Sequence, residues 1–79
     1  MQTVEIGKTY RHFKGNLYKV IDIVYDSESS SEELKKVVIY EALYGEHLKW
    51  ARPYDMFISK VDHNKYPGVK QEYRFKKID

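Results

Sequence analysis

The chain has 79 residues and no cysteine, which predicts one small domain without disulfides or cysteine-bound zinc. Fourteen Lys and Arg against twelve Asp and Glu give a net charge of +2, which is low for a protein dedicated to nucleic acid. No stretch is apolar over the ~20 residues of a membrane helix, and residues 1–5 lack a secretory-signal pattern, so we expect a cytoplasmic protein.

The first half of the chain predicts one strand followed by a long hairpin. Residues 8–13 have the pattern of a strand that ends in a turn at residues 14–16. The next strand covers residues 17–25 and its partner covers residues 37–44, because β-branched and aromatic side chains fill both runs. Alternate residues of the partner strand face opposite sides of the sheet.

A polar run separates the two long strands and predicts a loop. Residues 27–33 contain only serine and glutamate, which favours a turn over a packed element. Ser30 and Glu33 also have the spacing of a helix capping box, which leaves one helical turn as an alternative. The β-branched run at residues 37–39 disfavours a longer helix.

The second half of the chain predicts shorter elements. Pro53 cannot donate to a sheet ladder, so the strand at residues 48–51 stops there and at most a short helical turn lies near residues 53–56. Closing strands at residues 57–61 and 73–78 follow, with a loop between them. Five or six short antiparallel strands in so few residues predict a mainly β fold that bends into a small barrel.

The predicted core consists of large apolar residues from these elements. Each buried aromatic ring removes a large apolar area from water, which partly compensates for the short chain. The residues that we expect to be buried are Phe13, Leu17, Ile21, Ile23, Leu43, Met56 and Phe57.

A set of aromatic and basic residues is the best candidate for a functional surface. Trp50 and Arg52 lie two apart on one strand, so their side chains face the same side. A face that gathers such groups offers stacking surfaces beside guanidinium groups, which suits single-stranded nucleic acid or an acidic or extended peptide. The candidate ligand-binding residues are Tyr10, His12, Tyr44, Trp50, Arg52 and Arg74.

A structural role is the alternative for the two central residues of this set. Trp50 would then fill the interior of the barrel as a core side chain. Arg52 would form an ion pair with Glu28, Glu41 or Asp55. The sequence leaves both interpretations open.

Four segments of the chain resemble a known family. They are Tyr10-Arg-His-Phe-Lys-Gly15, Tyr40-x-Ala42-Leu43-Tyr44-Gly45, Trp50-x-Arg52-Pro53-x-x-Met56-Phe57 and Arg74-Phe75. In order and spacing they are similar to the bacterial family called domain of unknown function 1653, over about residues 6–78. The resemblance implies a bacterial protein with an SH3-like β-barrel as a single domain over residues 1–79, and it implies no established activity.

No motif in the chain indicates catalysis or a cofactor. The three histidines are dispersed and lack the spacing of a zinc site. The serines concentrate in a loop that would not hold a nucleophile in register, and the glycines are isolated at turns, unlike a phosphate loop. We therefore expect no catalytic residues, no metal and no cofactor.

Three hypotheses for function remain. The first is a non-enzymatic binding module, a monomer or weak dimer without membrane contact, that recognises a protein segment through the aromatic and basic face. The second is an accessory domain for RNA or single-stranded nucleic acid that uses Lys60, Lys65, Lys70, Arg74, Lys76 and Lys77. The third is a small enzyme or metal protein, which needs a pocket where a histidine and an acid meet. The low net charge favours a protein segment as the partner.

Overall fold

One antiparallel sheet of five strands forms the framework of the protein in the computed structural model, which describes residues 3–79. Met1 and Gln2, which the sequence analysis includes in the same domain, lie outside the described residues. The elements are β1 (Thr9–His12), β2 (Leu17–Tyr25), β3 (Lys36–Ala42), β4 (Lys49–Pro53), α1 (Tyr54–Phe57) and β5 (Phe75–Lys77). The mainly β class, the antiparallel strands and the short helical turn are confirmed.

The strand order is β4-β3-β2-β1-β5, so the sheet has two edges and does not close into a complete barrel. The predicted strand at residues 57–61 is wrong, because Phe57 ends α1 and the following segment makes one isolated bridge, between Lys60 and Tyr73. With β5 limited to three residues, no backbone pairing joins β4 to β5 within the described part of the chain. This open edge is where the candidate site lies.

The hairpin of β2 and β3 contains a one-residue irregularity that keeps its inner face apolar. Val20 pairs with Tyr40 and Asp22 pairs with Ile39, so Ile21 is the extra residue of a bulge. Strict alternation from Val20 would place Asp22 on the inner face. The bulge shifts the pattern, and Ile23 instead packs against the core beside its partner Val38.

The loop between these strands contains no helix. The Glu33 backbone N–H donates to the Ser30 hydroxyl at 3.0 Å, so the expected capping contact forms, but it closes a turn only. The β-branched residues that follow continue directly into β3, which has no room for a further helical turn.

The core is built mainly from aromatic rings. Phe57 and Phe75 stack with ring centroids 4.0 Å apart and planes 4° apart. Tyr10 and Tyr40 meet the Phe57 ring edge-on at 5.6 and 5.4 Å. Such pairs contribute about 0.5–1.5 kcal/mol each beyond the area that they bury. The core cluster comprises Val4, Tyr10, Val20, Val38, Tyr40, Phe57 and Phe75.

The predicted core is only partly correct. Phe57 is buried, and Phe13, Ile21 and Ile23 are half-buried. Three other predicted core residues are exposed: Leu17, Leu43 and Met56. Leu17 opens β2 and Leu43 follows β3, at an end of the hairpin where no second layer covers them, and Met56 lies on the outer side of the one-turn helix. Among residues 3–79, no helix is long and apolar enough to cross a bilayer.

Candidate functional site

Side chains cover the gap between the edge strands β4 and β5. Arg52 extends from β4 until its guanidinium carbon lies 5.6 Å from the centre of the Phe75 ring on β5. Its Nε donates a hydrogen bond to the Tyr40 hydroxyl at 3.2 Å. We call this gap, with Trp50 and Arg52 on one side and Arg74 and Phe75 on the other, the seam.

Arg52 is incompletely paired at the seam. Its Nη1 is buried and has no hydrogen-bond partner among the described residues. The ion pairs expected from the sequence are not formed: Glu41 instead faces His47 at 3.6 Å, and neither Glu28 nor Asp55 forms an ion pair with Arg52. A buried donor without an acceptor costs about 1–3 kcal/mol, and more for a charged group. Within the described part of the chain, Arg52 therefore has no anionic partner.

A basic recess opens on one side of Arg52, with a volume of about 360 Å³. Its lining residues are His12, Phe13, Lys14, Arg52, Val61, Asp62, Lys65, Tyr66 and Arg74. Four of them are permanent cations and one is a carboxylate. That carboxylate, on Asp62, already accepts the backbone N–H groups of Asn64 and Lys65 at 3.0 and 3.3 Å. The recess thus has an excess of positive charge.

Aromatic rings and one hydroxyl position the cations of the basic recess. The Lys14 amine lies 5.6 Å from the Tyr66 ring centre, and the Lys65 amine lies 5.5 Å from the same ring. Arg74 donates from Nε to the Ser59 hydroxyl at 3.2 Å. Contacts of this kind orient a cation without neutralising it.

His12 lies in this recess as a neutral base. Its Nδ1 accepts the Lys14 backbone N–H at 3.1 Å, and its ring meets Phe75 edge-on at 5.0 Å. Burial, and after it the nearby charges of Arg52, Arg74 and Lys14, together lower the pKa of His12 from 6.5 to about 4. The imidazole is therefore uncharged at neutral pH.

An aromatic recess of about 220 Å³ opens on the other side of Arg52, lined by Tyr18, Tyr40, Tyr44, Trp50 and Arg52. The hydroxyls of Tyr18 and Tyr44 are 2.7 Å apart. Burial, and then the hydrogen bond to Tyr44, raise the pKa of Tyr18 to about 12, so the Tyr18 hydroxyl stays protonated at neutral pH. Trp50 is 49% exposed and Tyr44 is 44% exposed. Trp50 therefore does not fill the interior, and its ring is available for contact.

Five of the six candidate residues line these two recesses, which share Arg52. The exception is Tyr10, which is 1% exposed and belongs to the core. Its hydroxyl accepts the Glu5 backbone N–H at 3.0 Å, so it fastens the N-terminal segment to the sheet. The structure thus places Tyr10 away from any surface, whereas His12, two residues along the same strand, reaches the seam.

Sequence reasoning missed several residues of the site. Tyr18 lies opposite Ala42 in the β2–β3 ladder, which brings it beside Tyr44. Lys14, Lys65 and Tyr66 come from a turn and a loop, where no periodicity predicts which groups meet. The strand register alone would have located Tyr18.

The basic residues of the second hypothesis do not gather on one surface. Lys65 and Arg74 line the basic recess, whereas Lys70 and Lys76 line a separate recess with Arg11. Two other members form ion pairs, Lys60 with Glu72 at 3.7 Å and Lys77 with Glu5 at 2.6 Å. Within residues 3–79, no group of three His, Asp or Glu side chains converges as a metal site.

Comparison with known proteins gives one match. A family model with the description "Protein of unknown function (DUF1653)" matches residues 8–77. No curated protein and no solved structure matches the chain.

Proposed function

The chain belongs to the DUF1653 family of proteins of unknown function, and from its seam we propose that it is a non-enzymatic binding module for a protein segment. The observation that carries this proposal is Arg52, a half-buried cation that lines both recesses and has no anionic partner among the described residues. Binding sites combine apolar surface with a few polar groups that need a partner. The two recesses on either side of Arg52 provide both kinds of contact.

The aromatic recess supports binding of a side chain. Trp50 and Tyr44 are about half exposed, and a ligand that covers them would remove a large apolar area from water. Exposed Trp, Tyr and Arg together are the residue types that dominate binding energy at protein interfaces. A protein segment with an apolar or aromatic residue beside an anionic group matches this arrangement.

The chemistry of His12 supports a binding role over catalysis. His12 faces cations in the recess, and its Nδ1 is occupied by a backbone N–H. The one carboxylate nearby, Asp62, is engaged in its own turn. A general base needs a free nitrogen within reach of a substrate proton and a pKa near the working pH.

The nucleic-acid hypothesis has one observation in its favour: exposed aromatic rings lie beside cations at the seam. Against it, the net charge is +2, and the basic residues of the C-terminal part are divided among separate surfaces. Polyphosphate chains require a continuous positive path.

Selection from a random peptide library displayed on phage tests the proposal. Wild-type protein serves as bait, and the Trp50→Ala variant removes peptides that bind elsewhere. We expect the selected peptides to share an acidic residue near an aromatic or aliphatic one. Synthetic peptides should quench or shift the fluorescence of Trp50, which is the one tryptophan in the chain.

Two results would overturn the proposal. In the first, no peptide is enriched over the Trp50→Ala bait. In the second, oligouridylate binds to the wild type with steep salt dependence and displaces every selected peptide, which would assign the seam to nucleic acid.

A further inference from the structure

We infer that the basic recess binds the phosphate monoester of a phosphorylated side chain in that protein segment. This inference rests on the proposed function and adds the chemistry of the anion. The recess is formed by Lys14, Arg52, Lys65 and Arg74 around His12, with the single carboxylate of Asp62.

The charge of the recess matches a dianion. Four cations and one carboxylate leave an excess of three positive charges, and His12 adds none because its pKa is about 4. A phosphate monoester has a charge of about −1.5 to −2 near pH 7 and three acceptor oxygens. A carboxylate would neutralise less of this charge and offer two oxygens.

The donors of the recess also suit a phosphate. Arg52 and Arg74 each present a guanidinium, the group whose planar donors fit phosphate oxygens, and Nη1 of Arg52 is unpaired. The ammonium groups of Lys14 and Lys65 lie beside the Tyr66 ring without a carboxylate partner in the described residues. None of the four cations that line the recess forms an ion pair within the described part of the chain.

The position of the recess favours a protein ligand over a nucleic acid. The aromatic recess begins directly at Arg52, so a residue next to the phosphorylated one has a place to bind. A nucleic-acid phosphate is a diester with a single charge, and its affinity depends on many such contacts in a row. The concentrated charge of this recess fits one doubly charged group better.

Amide and histidine-ring NMR titrations with three small probes test this inference. The probes are N-acetylphosphoserine methylamide, the matched N-acetylaspartate methylamide, and dimethyl phosphate as a model of a nucleic-acid backbone. We expect the phosphoserine probe to bind most tightly and to shift the signals of His12, Lys14 and Arg74. It should also raise the pKa of His12, because burial and then nearby cations lower that pKa and a bound anion would offset the cations.

Matched variants separate a specific site from general charge attraction. Arg52→Gln removes one charge inside the recess, and Lys35→Gln removes one charge from the exposed β2–β3 loop. We expect the affinity for the phosphoserine probe to fall by roughly tenfold or more in Arg52→Gln. In Lys35→Gln the affinity should equal that of the wild type. Retained dispersion of the amide spectrum shows that both variants are folded.

Three outcomes would overturn the inference. If the aspartate probe binds as tightly as the phosphoserine probe, the site takes carboxylates, and the proposed peptide-binding function survives without the phosphate. If dimethyl phosphate binds best, the ligand is a phosphodiester, and both proposals fail. If Arg52→Gln and Lys35→Gln weaken binding equally, the probes are attracted by net charge alone.

Discussion

Arg52 and Phe75 connect the two open edges of the sheet, with the guanidinium carbon of Arg52 5.6 Å from the Phe75 ring centre. The same Phe75 ring stacks on the Phe57 ring in the core, with the two ring centroids 4.0 Å apart. A cationic side chain at the seam is thus in contact with a buried aromatic ring of the core. Substitutions at different positions should therefore affect either the stability of the fold or the proposed ligand binding, and the predictions below distinguish the two.

Substitution of Arg52 by methionine should abolish ligand binding and leave the melting temperature equal or higher. The variant loses a cation–ring contact and one hydrogen bond, each worth about 1 kcal/mol. It also removes a half-buried charge that lacks an anionic partner among the described residues, and apolar replacements at such sites are often neutral or stabilising. Thermal unfolding by circular dichroism measures the change.

Lys49→Met on the same strand is the control, because Lys49 is exposed and faces away from the seam. We expect it to bind selected peptides as the wild type does. A drop of about 4–8 °C for Arg52→Met, which corresponds to roughly 1 kcal/mol in a domain of this size, would show that Arg52 primarily anchors the fold.

Phe57→Leu should lower the free energy of unfolding by about 1–2 kcal/mol, because it removes the stacked partner of Phe75 from a fully buried position. The neighbouring Met56→Leu should have no measurable effect, since Met56 is 49% exposed. Urea denaturation followed by tryptophan fluorescence gives both values. Equal effects at the two positions would contradict the assignment of the core.

Stability should fall with decreasing pH in part because of His12. The pKa of His12 is lowered from 6.5 to about 4, so between these values the unfolded chain binds more protons than the folded one. Under proton linkage, this group stabilises the fold fully above about pH 6.5, and the contribution is lost as the pH falls toward 4. Carboxylates titrate in the same range, so the variant His12→Gln isolates this contribution.

We therefore expect His12→Gln to show a weaker pH dependence of the melting temperature between pH 6.5 and 4 than the wild type. His63→Gln, at an exposed histidine outside the seam, should retain the wild-type dependence. Identical curves for all three proteins would mean that His12 titrates normally in the folded state.

Trp50→Ala should reduce peptide affinity by more than tenfold, as loss of a central interface aromatic commonly costs about 2 kcal/mol or more. Its effect on the free energy of unfolding should be within about 0.5 kcal/mol, because the side chain is half exposed. Isothermal titration calorimetry with a selected peptide measures the affinity, and urea denaturation followed by circular dichroism measures the free energy of unfolding. A large loss of stability with unchanged affinity would reverse the assigned role.

The strands of the hairpin were the most predictable part of the fold. β2 was predicted with the observed limits, Leu17–Tyr25, because β-branched and aromatic residues dominate this run and turn residues bound it. The prediction of a strand at residues 57–61 was wrong, because the apolar pair Phe57-Ile58 is also typical of the start of a strand. Only the contact of Phe57 with the core shows that this residue ends the helix.

For the candidate site, the sequence predicted which side of a strand each side chain faces but not how deeply that side chain is buried. The two-residue period places Trp50 and Arg52 on one side of β4, and Tyr10 and His12 on one side of β1. It does not show that Phe57 packs against Tyr10 while His12 lies farther along at the seam. Burial at a given strand position depends on which distant segment covers it.

The class of fold, the strands of the hairpin and the residue types at the site were predictable from the sequence, because they follow from local side-chain preferences and periodicity. That the sheet stays open between β4 and β5, and that Arg52 reaches Phe75 across this gap, is visible only in three dimensions. The same holds for Lys14, Lys65 and Arg74, which line one recess together with His12. Those relationships join residues distant in sequence, and their geometry is set by how the β1–β2 turn, the 62–66 loop and β5 pack around one aromatic core.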